Sequence, residues 1–323
     1  MLPSDNEEMI SANAEAWTYE KAFSRNRGLI SEAEQAQLRK SRVAIVGLGG
    51  VGGIDLIALA RLGIGRFTIA DFDIFETHNI NRQYGAMVST NKQPKADVMA
   101  RIVRDINPEA DVRIFREGVT ADNADDFLAD ADILVDGVDA FEIDVRRMLF
   151  RKARQQGIFA LGAGPVGFST VWVIFGPRSL PFDKYFDLTD AMDPVQKFVA
   201  YVVGMAPASL QRPYMDLAFL SIRNQTGPSA GLACHLASGV VTAEVLKILL
   251  RRGRVRTAPV YQQFDAYRGL FVSRRMIGGN RNPLQLVKRR WLVRYLRRQL
   301  AASAPGTDQN LDSVHGDSLR GEK

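Results

Sequence analysis

The stretch that decides the fold is residues 43–73, VAIVGLGGVGGIDLIALARLGIGRFTIADFD. A short apolar run at 43–46 ends in a cluster of glycines, and apolar residues at helical spacing follow it. A second apolar run at 67–70 delivers the acid Asp71. The order of strand, glycine turn, helix and strand is typical of a unit that binds a nucleotide. The pattern therefore predicts a Rossmann-like α/β fold.

The glycines of this turn are expected to lie against the nucleotide. They are Gly47, Gly49, Gly50 and Gly52. Because glycine has no side chain, backbone N–H groups can approach phosphate oxygens, and the following helix adds a partial positive charge at its amino end. The acids that end the next strand, Asp71 and Asp73, can accept hydrogen bonds from ribose hydroxyls. A packing turn without a ligand is the alternative interpretation.

Bulk composition favours a globular protein with one large or two modest domains. The chain has 323 residues, of which 46% are hydrophobic and 24% are charged, and both values are ordinary. The sequence suggests no membrane span of ~20 apolar residues, and the acidic amino terminus lacks the layout of a signal peptide. The single cysteine, Cys234, excludes an internal disulfide and a zinc site built on CxxC pairs. We therefore expect a cytoplasmic protein without zinc.

The net charge of +6 is concentrated near the carboxyl end. Residues 281–300 contain seven Lys or Arg residues and no acid, so the remainder of the chain is close to neutral. A general nucleic-acid-binding protein would spread its basic residues over a broad footprint, and the sequence does not favour that class. The basic segment is predicted to be a helix that packs on its own domain, with a partner protein or an anionic membrane surface as alternatives.

Two cations and an acid follow the glycine turn at positions that suit a triphosphate. Arg82 lies in the polar run NINRQ at 79–83, and Lys95 opens the next predicted helix. Arginine makes bidentate contacts with phosphate oxygens and lysine supplies a point charge, although a surface lysine is the alternative for Lys95. Asp139 follows a predicted strand at the edge where α/β sheets bind ligands, and its carboxylate suits Mg²⁺. The alternative for Asp139 is a helix cap.

Composition divides the chain into segments of different character. They are a helical arm at 1–41, a Rossmann-like ATP-binding domain at 42–176, a substrate-groove and dimerisation part of the same fold at 177–280, a basic helix at 281–300 and a disordered tail at 301–323. Residues 176–225 contain proline, aspartate and aromatic residues and then broken helical patterns. We expect this insertion to form a lid or a groove wall over the carboxyl-terminal edge of the sheet. The fold class is α/β, with a doubly wound, mostly parallel sheet.

The ordered motifs resemble the ThiF/MoeB/HesA superfamily, whose fold is shared with ubiquitin-activating enzymes. They are GLGGVG at 47–52, DFD at 71–73, NINRQ at 79–83, QPK at 93–95 and DGVD at 136–139. The likeness is good over residues 25–175 and looser over 227–271. It implies an ATP-dependent adenylyltransferase, in which a carboxylate oxygen attacks the α-phosphate of ATP and yields an acyl-adenylate and pyrophosphate. A carboxylate is already ionised at pH 7, so that step needs no protein base.

The resemblance also implies roles for single residues. The backbone at Gly50 would lie against the nucleotide, Asp71 would bind the ribose and Asp139 would hold Mg²⁺. Arg27 matches an arginine that family dimers supply to the partner's active site, so a homodimer is expected. The residues implied to contact phosphate or to lie beside it are Asn79, Asn81, Arg82 and Lys95. The catalytic set would thus be Arg82, Lys95, Asp139 and the partner's Arg27.

The chain departs from many members of that superfamily, because it has neither paired CxxC zinc ligands nor a catalytic cysteine in the crossover loop. Cys234 lies in an apolar helical pattern and is interpreted as a core thiol. The main hypothesis is therefore adenylation of the carboxyl-terminal Gly-Gly of a small carrier protein, a ubiquitin-like or sulfur-carrier protein.

Three alternatives remain open. Zinc-free relatives that activate and cyclise the carboxyl group of a modified tRNA base provide the second, less favoured hypothesis. An NAD(P)- or FAD-binding oxidoreductase is a distant alternative, because it does not need both cations after the ribose-binding acid. A scaffold without catalysis is also disfavoured, since a dead site has no reason to hold Arg82, Lys95 and Asp139 together.

Overall fold

The computed structural model describes residues 17–302, and within them it has one eight-stranded sheet. In chain order the strands are β1 (Arg42–Val46), β2 (Arg66–Ala70), β3 (Asp111–Phe115), β4 (Ile133–Asp136), β5 (Phe159–Val166), β6 (Ser169–Phe175), β7 (Val260–Asp265) and β8 (Leu270–Arg275). Their spatial order is β3-β2-β1-β4-β5-β6-β7-β8. Most of the predicted tail, and residues 1–16 of the predicted arm, lie outside the described residues.

The helices alternate with the strands in the first half of the chain. They are α1 (Tyr19–Ala22), α2 (Glu32–Lys40), α3 (Gly52–Arg61), α4 (Lys95–Ile106), α5 (Ala124–Leu128), α6 (Ile143–Gln155), α7 (Phe182–Phe186), α8 (Pro194–Met205), α9 (Gly231–Leu249) and α10 (Pro283–Ala302). A helix between two parallel strands returns the chain to the same edge of the sheet. This alternation confirms the α/β class that the sequence predicts.

The sheet is parallel from β3 to β5 and antiparallel from β5 to β8. Every residue of β1 is buried, because the strand has helices on both faces. Val43 and Ile45 pack with α3, α4 and α9, while Ala44 and Val46 pack with α5, α6 and α8. The strand order reverses between β1 and β4, which is the point where open α/β sheets bind ligands at the carboxyl ends of their strands.

The apolar helix α9 corrects one expectation from the sequence. Among the described residues it is the single helix long and apolar enough to cross a membrane by length and composition, with a mean hydropathy of 1.5. The expectation that no stretch approaches such a span is therefore wrong. In the fold, α9 packs against β5, β6 and α3, and its residues Val241 and Val245 are buried in the core beneath the sheet.

The basic helix α10 packs on its own chain, as the sequence favours. Leu296 is fully buried against Phe198 and Val199 of α8. Leu284, Val287 and Trp291 of the same helix remain exposed. The helix therefore docks through the carboxyl-terminal part of its apolar surface and leaves the amino-terminal part exposed.

Candidate active site

The glycine turn lies at the carboxyl end of β1, at the reversal of strand order. Gly47 has a φ of 78°, in the region that favours glycine. A Cβ on Gly47 would overlap the carbonyl oxygen of Gly137, and a Cβ on Gly52 would overlap the carbonyl oxygen of Gly47. The three backbones are thus in direct contact, which closes the turn and packs the start of α3 against the loop after β4.

Asp71 is bonded to the glycine turn itself. Its Oδ2 accepts a hydrogen bond of 2.6 Å from the Leu48 N–H, and its Oδ1 accepts one of 2.8 Å from the Asp73 N–H. Burial raises the pKa of Asp71, and the positive charge of Lys95 opposes that rise. Each carboxylate oxygen can accept a further hydrogen bond. Asp71 can therefore fix the turn and still receive a ribose hydroxyl.

Lys95 is a buried cation held by an acid. Its side chain is 7% exposed, and its Nζ lies 2.9 Å from Oδ2 of Asp73. The backbone N–H of Lys95 also donates to the carbonyl oxygen of Asp73, at 2.9 Å. The alternative interpretation as a surface lysine is therefore wrong. A buried ammonium needs a counter-charge, so Asp73 contributes the partner of Lys95.

Arg82 carries a free positive charge in the cleft. Its Nη1 donates to the carbonyl oxygen of His78 and to Oδ1 of Asn81, both at 3.0 Å. No carboxylate within residues 17–302 forms an ion pair with it. Nδ2 of Asn81 donates in turn to the carbonyl oxygen of Ser229 at 3.0 Å, which ties this loop to the segment before α9. The guanidinium is thus positioned by neutral groups and keeps its charge for an anion.

Asn79 is expected to contact phosphate, but in the fold its side chain is buried and bonded within its own turn. Its side chain is buried, and its Oδ1 accepts a hydrogen bond of 2.9 Å from the Glu76 N–H. This bond shapes the short turn at Thr77–Asn79 that precedes Arg82. Contact between Asn79 and a phosphate stays a prediction.

Asp139 is exposed in the loop between β4 and α6. Its Oδ1 accepts a hydrogen bond of 3.0 Å from the Phe141 N–H, while its Oδ2 has no donor among residues 17–302. The helix α6 begins at Ile143, and the residue at its cap position is Glu142 and not Asp139. Asp139 therefore orders the turn with one oxygen and leaves the other available to a cation.

A buried ion pair that the sequence did not reveal holds this loop. Arg146 of α6 and Asp136 at the end of β4 have side chains only 2% exposed, and Nε and Oδ2 lie 2.5 Å apart. The guanidinium also donates to the carbonyl oxygens of Val138 at 2.5 Å and Asp139 at 3.2 Å. It lies 4.2 Å from the ring centroid of Tyr201 of α8. Arg146 thus fixes the loop that presents Asp139.

The predicted nucleotide-binding residues line one cleft of about 1930 Å³. Its lining includes all the predicted nucleotide residues except Gly52, which lies beneath the turn: Gly47, Gly49, Gly50, Asp71, Asp73, Asn79, Asn81, Arg82, Lys95 and Asp139. Pockets for small ligands span about 300–1,000 Å³, so this cleft has room for a nucleotide and a second substrate. Its outer half is walled by α8 and by part of residues 206–229, and the sequence predicted a lid or groove wall over residues 176–225.

The outer half of the cleft has cations that sequence reasoning did not assign to a site. The guanidinium carbon of Arg212 lies 5.4 Å from the ring centroid of Trp291. Nζ of Lys288 donates to the carbonyl oxygen of Pro207 at 2.7 Å. Burial lowers the pKa of Lys288, and the nearby charge of Arg212 lowers it further. Lys288 and Trp291 come from α10, so the basic helix contributes directly to the cleft.

The ThiF family matches residues 23–287, which is most of the chain. The chain belongs to the ThiF family. The resemblance seen in the sequence motifs is thereby confirmed.

The chain is similar to two curated ThiF-family relatives over about half of its length. It is 32% identical over 154 residues to a tRNA threonylcarbamoyladenosine dehydratase from Haemophilus influenzae, covering 47% of this chain and 59% of the relative. It is 34% identical over 154 residues to a sulfur carrier protein ThiS adenylyltransferase from Bacillus subtilis, covering 47% of this chain and 45% of the relative. The chain thus spans about half the length of these relatives.

The crystal structure of PaaA has the same fold. The TM-score is 0.62 at 18% identity, and the match covers 81% of this chain and 84% of PaaA. An identity this low shows the fold alone.

Arg27 lies away from the cleft of its own ThiF-family chain. It is exposed and forms an ion pair with Glu32 at 3.1 Å. The neighbouring Asn26 donates to the carbonyl oxygen of Leu62 at 3.2 Å, in the loop between α3 and β2. That loop is at the amino end of β2, opposite the glycine turn. Arg27 therefore cannot serve this cleft from the same chain, and its role in a partner's site stays a prediction.

Cys234 is buried in α9, which confirms its interpretation as a core thiol. Burial raises its pKa to about 11, so the thiol stays protonated at neutral pH. A Cβ placed on Gly50 would lie 3.0 Å from its Sγ, so the helix packs directly under the glycine turn. Within residues 17–302, no group of three or more His, Cys, Asp or Glu side chains is arranged to hold a metal ion.

Proposed function

We propose that this ThiF-family protein binds ATP with Mg²⁺ and adenylates a carboxylate. The observation that carries the proposal is the meeting of Arg82, Lys95 and Asp139 around one glycine turn, although they come from three separate segments. Two cations beside a carboxylate with a free oxygen match a triphosphate and a divalent cation. The named ThiS adenylyltransferase among the relatives supports the same activity.

The reaction uses positioning and charge more than proton transfer. An oxygen of the substrate carboxylate attacks the α-phosphorus of ATP, the bond from that phosphorus to the bridging oxygen breaks, and pyrophosphate leaves. Arg82 and Lys95 would offset the negative charge that builds on the phosphate oxygens. Asp139 fits Mg²⁺, because its carboxylate is exposed in the cleft and one oxygen is unused. When bound, Mg²⁺ neutralises phosphate charge.

The substrate carboxylate would enter through the outer half of the cleft. Our first candidate is the carboxyl-terminal tail of a small carrier protein, since α8 and residues 206–229 line the outer half of the cleft and leave it room for a second substrate. Two copies of the chain would act as a homodimer in which Arg27 serves the partner's cleft. The second candidate is a carboxyl group on a modified tRNA base, and the dehydratase among the relatives supports it.

Pyrophosphate exchange into ATP tests the activity. We expect exchange by the full chain in the presence of Mg²⁺ and a clarified lysate as the source of carboxylate, and we expect Asp139→Ala to abolish it. Asp105→Ala is the matched control, because Asp105 is an exposed acid on α4 outside the cleft. Equal exchange by both variants would contradict the assignment of Asp139.

Treatment of the lysate separates the two substrates. Loss of exchange after protease digestion and heat inactivation of the protease identifies a protein carboxylate. Loss after ribonuclease treatment identifies an RNA carboxylate. Exchange that survives both treatments would overturn both candidates in favour of a small molecule.

A further inference from the structure

A second groove lies apart from the cleft. It measures about 890 Å³ and is formed by three segments of the chain, residues 178–184, 254–260 and 275–281. Its lining contains six cationic residues and no acid: Arg178, Lys184, Arg254, Arg256, Arg275 and Arg281. We call these residues the basic groove. None of them lines the active-site cleft.

The basic groove is at the opposite edge of the sheet from the glycine turn. Strand β6 runs antiparallel to β5, so its first residue, Ser169, pairs with Val166 beside the cleft. Its last residues are at the other edge, where the Ala258 N–H in the groove donates to the carbonyl oxygen of Ile174 at 2.7 Å. A strand of seven residues spans roughly 20 Å. The two sites are therefore separated by about the length of one strand.

The cations of the groove are largely unneutralised. Within residues 17–302, Arg178, Lys184, Arg254 and Arg275 form no ion pair and no side-chain hydrogen bond. Arg256 donates to a neutral group, Oγ of Ser273, at 3.1 Å. Arg281 pairs with Asp187 at 2.9 Å but remains 74% exposed. Like charges that share a groove raise its positive potential and attract a polyanion.

We propose that the basic groove binds the phosphate backbone of an RNA. Five of its six cations are arginine, whose planar guanidinium matches two phosphate oxygens at once. A concave surface can follow a strand of phosphates, whereas a membrane surface is usually met by an apolar helix face. These contacts read charge and not base sequence. The proposal depends only on the groove and stands whether or not the chain adenylates a carboxylate.

Fluorescence anisotropy with a labelled 20-nucleotide oligo(U) RNA tests the proposal. The groove variant is R254Q/R256Q/R275Q, and the matched control is R290Q/R294Q/R298Q, which removes three exposed arginines from α10. Both variants lose the same charge. We expect the groove variant to lose at least about a hundredfold in affinity at 50 mM NaCl, and the control to lose less than about threefold.

Salt dependence provides a second readout. Each phosphate contact to single-stranded nucleic acid adds about 0.7 to the slope of log affinity against log salt. Loss of three contacts should lower the magnitude of this slope by about 2. The ratio of the native chain's RNA affinity to that of the groove variant should therefore decrease about 16-fold between 50 and 200 mM NaCl. Equal slopes for the native chain and the groove variant would overturn the proposal.

Further experiments distinguish loss of RNA binding from misfolding of the variant and from binding of other ligands. R178Q/K184Q, on a different segment, should also weaken RNA binding, and its melting temperature should match that of the native chain. Binding to phosphatidylserine vesicles without binding to RNA would assign the surface to membranes and refute the proposal. Mg²⁺-ATP affinity should be unchanged in every groove variant. Failure of the native chain to bind ATP would count against the proposed adenylation, while RNA binding would still support the groove.

Discussion

The buried ion pair between Asp136 and Arg146 should be the most sensitive point of the active-site scaffold. Both side chains are 2% exposed, and Nε of Arg146 lies 2.5 Å from the carboxylate. In Arg146→Met the carboxylate of Asp136 stays buried without its cationic partner, and only the Val138 N–H still donates to it. Breaking a buried pair from one side costs about 3–5 kcal/mol. We expect that loss in the free energy of unfolding, measured by urea denaturation at pH 7.

The loop after β4, which Arg146 holds, should also lose its fixed conformation in this variant. The variant removes the donors to the carbonyl oxygens of Val138 and Asp139, so the carboxylate of Asp139 loses its fixed position. We expect Mg²⁺-ATP affinity to fall by at least about tenfold, which corresponds to about 1.4 kcal/mol. Isothermal titration at a temperature where the variant remains folded measures this effect separately from stability.

A double variant separates the two effects. In Asp136→Leu/Arg146→Met no charge is buried, and apolar replacement of a buried pair is often neutral or stabilising. We expect it to recover most of the stability, while ATP affinity remains low because the loop carbonyls still lack their donors. A loss below about 1 kcal/mol in Arg146→Met would refute the argument, as would full ATP affinity in the double variant.

Two further predictions concern buried groups beside the glycine turn. Burial raises the pKa of Asp55 well above its ordinary value, so the folded state binds its proton more tightly than the unfolded state does. The stability that this proton contributes is fully present below about pH 4 and is lost as pH rises. Asp55→Asn should therefore gain stability relative to the native chain as pH rises from 4, by up to about 1.4 kcal/mol per pH unit in urea denaturation; parallel pH profiles would contradict this. Cys234→Ala should keep pyrophosphate exchange, because the thiol is buried and protonated at neutral pH; loss of exchange in a folded variant would give Cys234 a chemical role.

Local motifs made much of this site predictable from the sequence. The glycine turn follows a strand and opens a helix, so residue spacing alone places Gly47 at the edge of the sheet. Asp71 ends the neighbouring strand, and adjacent parallel strands end at the same edge. The hydrogen bond from Leu48 to Asp71 follows from that adjacency.

Groups that depend on tertiary packing could not be predicted in this way. Arg146 faces Asp136 only because α6 packs back against the sheet, and a spacing of ten residues carries no periodic signal. Which apolar residues of α10 become covered could not be predicted either, since Leu296 packs against α8 while Trp291 stays exposed. Tertiary contacts therefore decide both the loop scaffold and the outer wall of the cleft.

The distribution of charge along the sequence also failed to reveal the basic groove. Residues 281–300 contain seven basic residues and no acid, yet within them Arg289 and Arg297 pair with Asp187 and Asp193. The basic groove gathers its cations from three distant segments, and only Arg281 belongs to that run. The sequence shows no broad basic footprint for a nucleic acid. The fold nevertheless brings cations from separate segments together in the basic groove.

The position of the two sites constrains how RNA could take part in the reaction. The basic groove and the active-site cleft lie at opposite ends of β6, roughly 20 Å apart, so one RNA can serve both only if it passes around the sheet or spans two copies of the chain. If the activated carboxylate belongs to RNA, the groove variant should lower exchange with the lysate at limiting RNA and leave ATP affinity unchanged. If it belongs to a carrier protein, exchange should be insensitive to the groove. Comparison of exchange in the groove and α10 variants therefore decides whether the two edges of the sheet act on one molecule or on two.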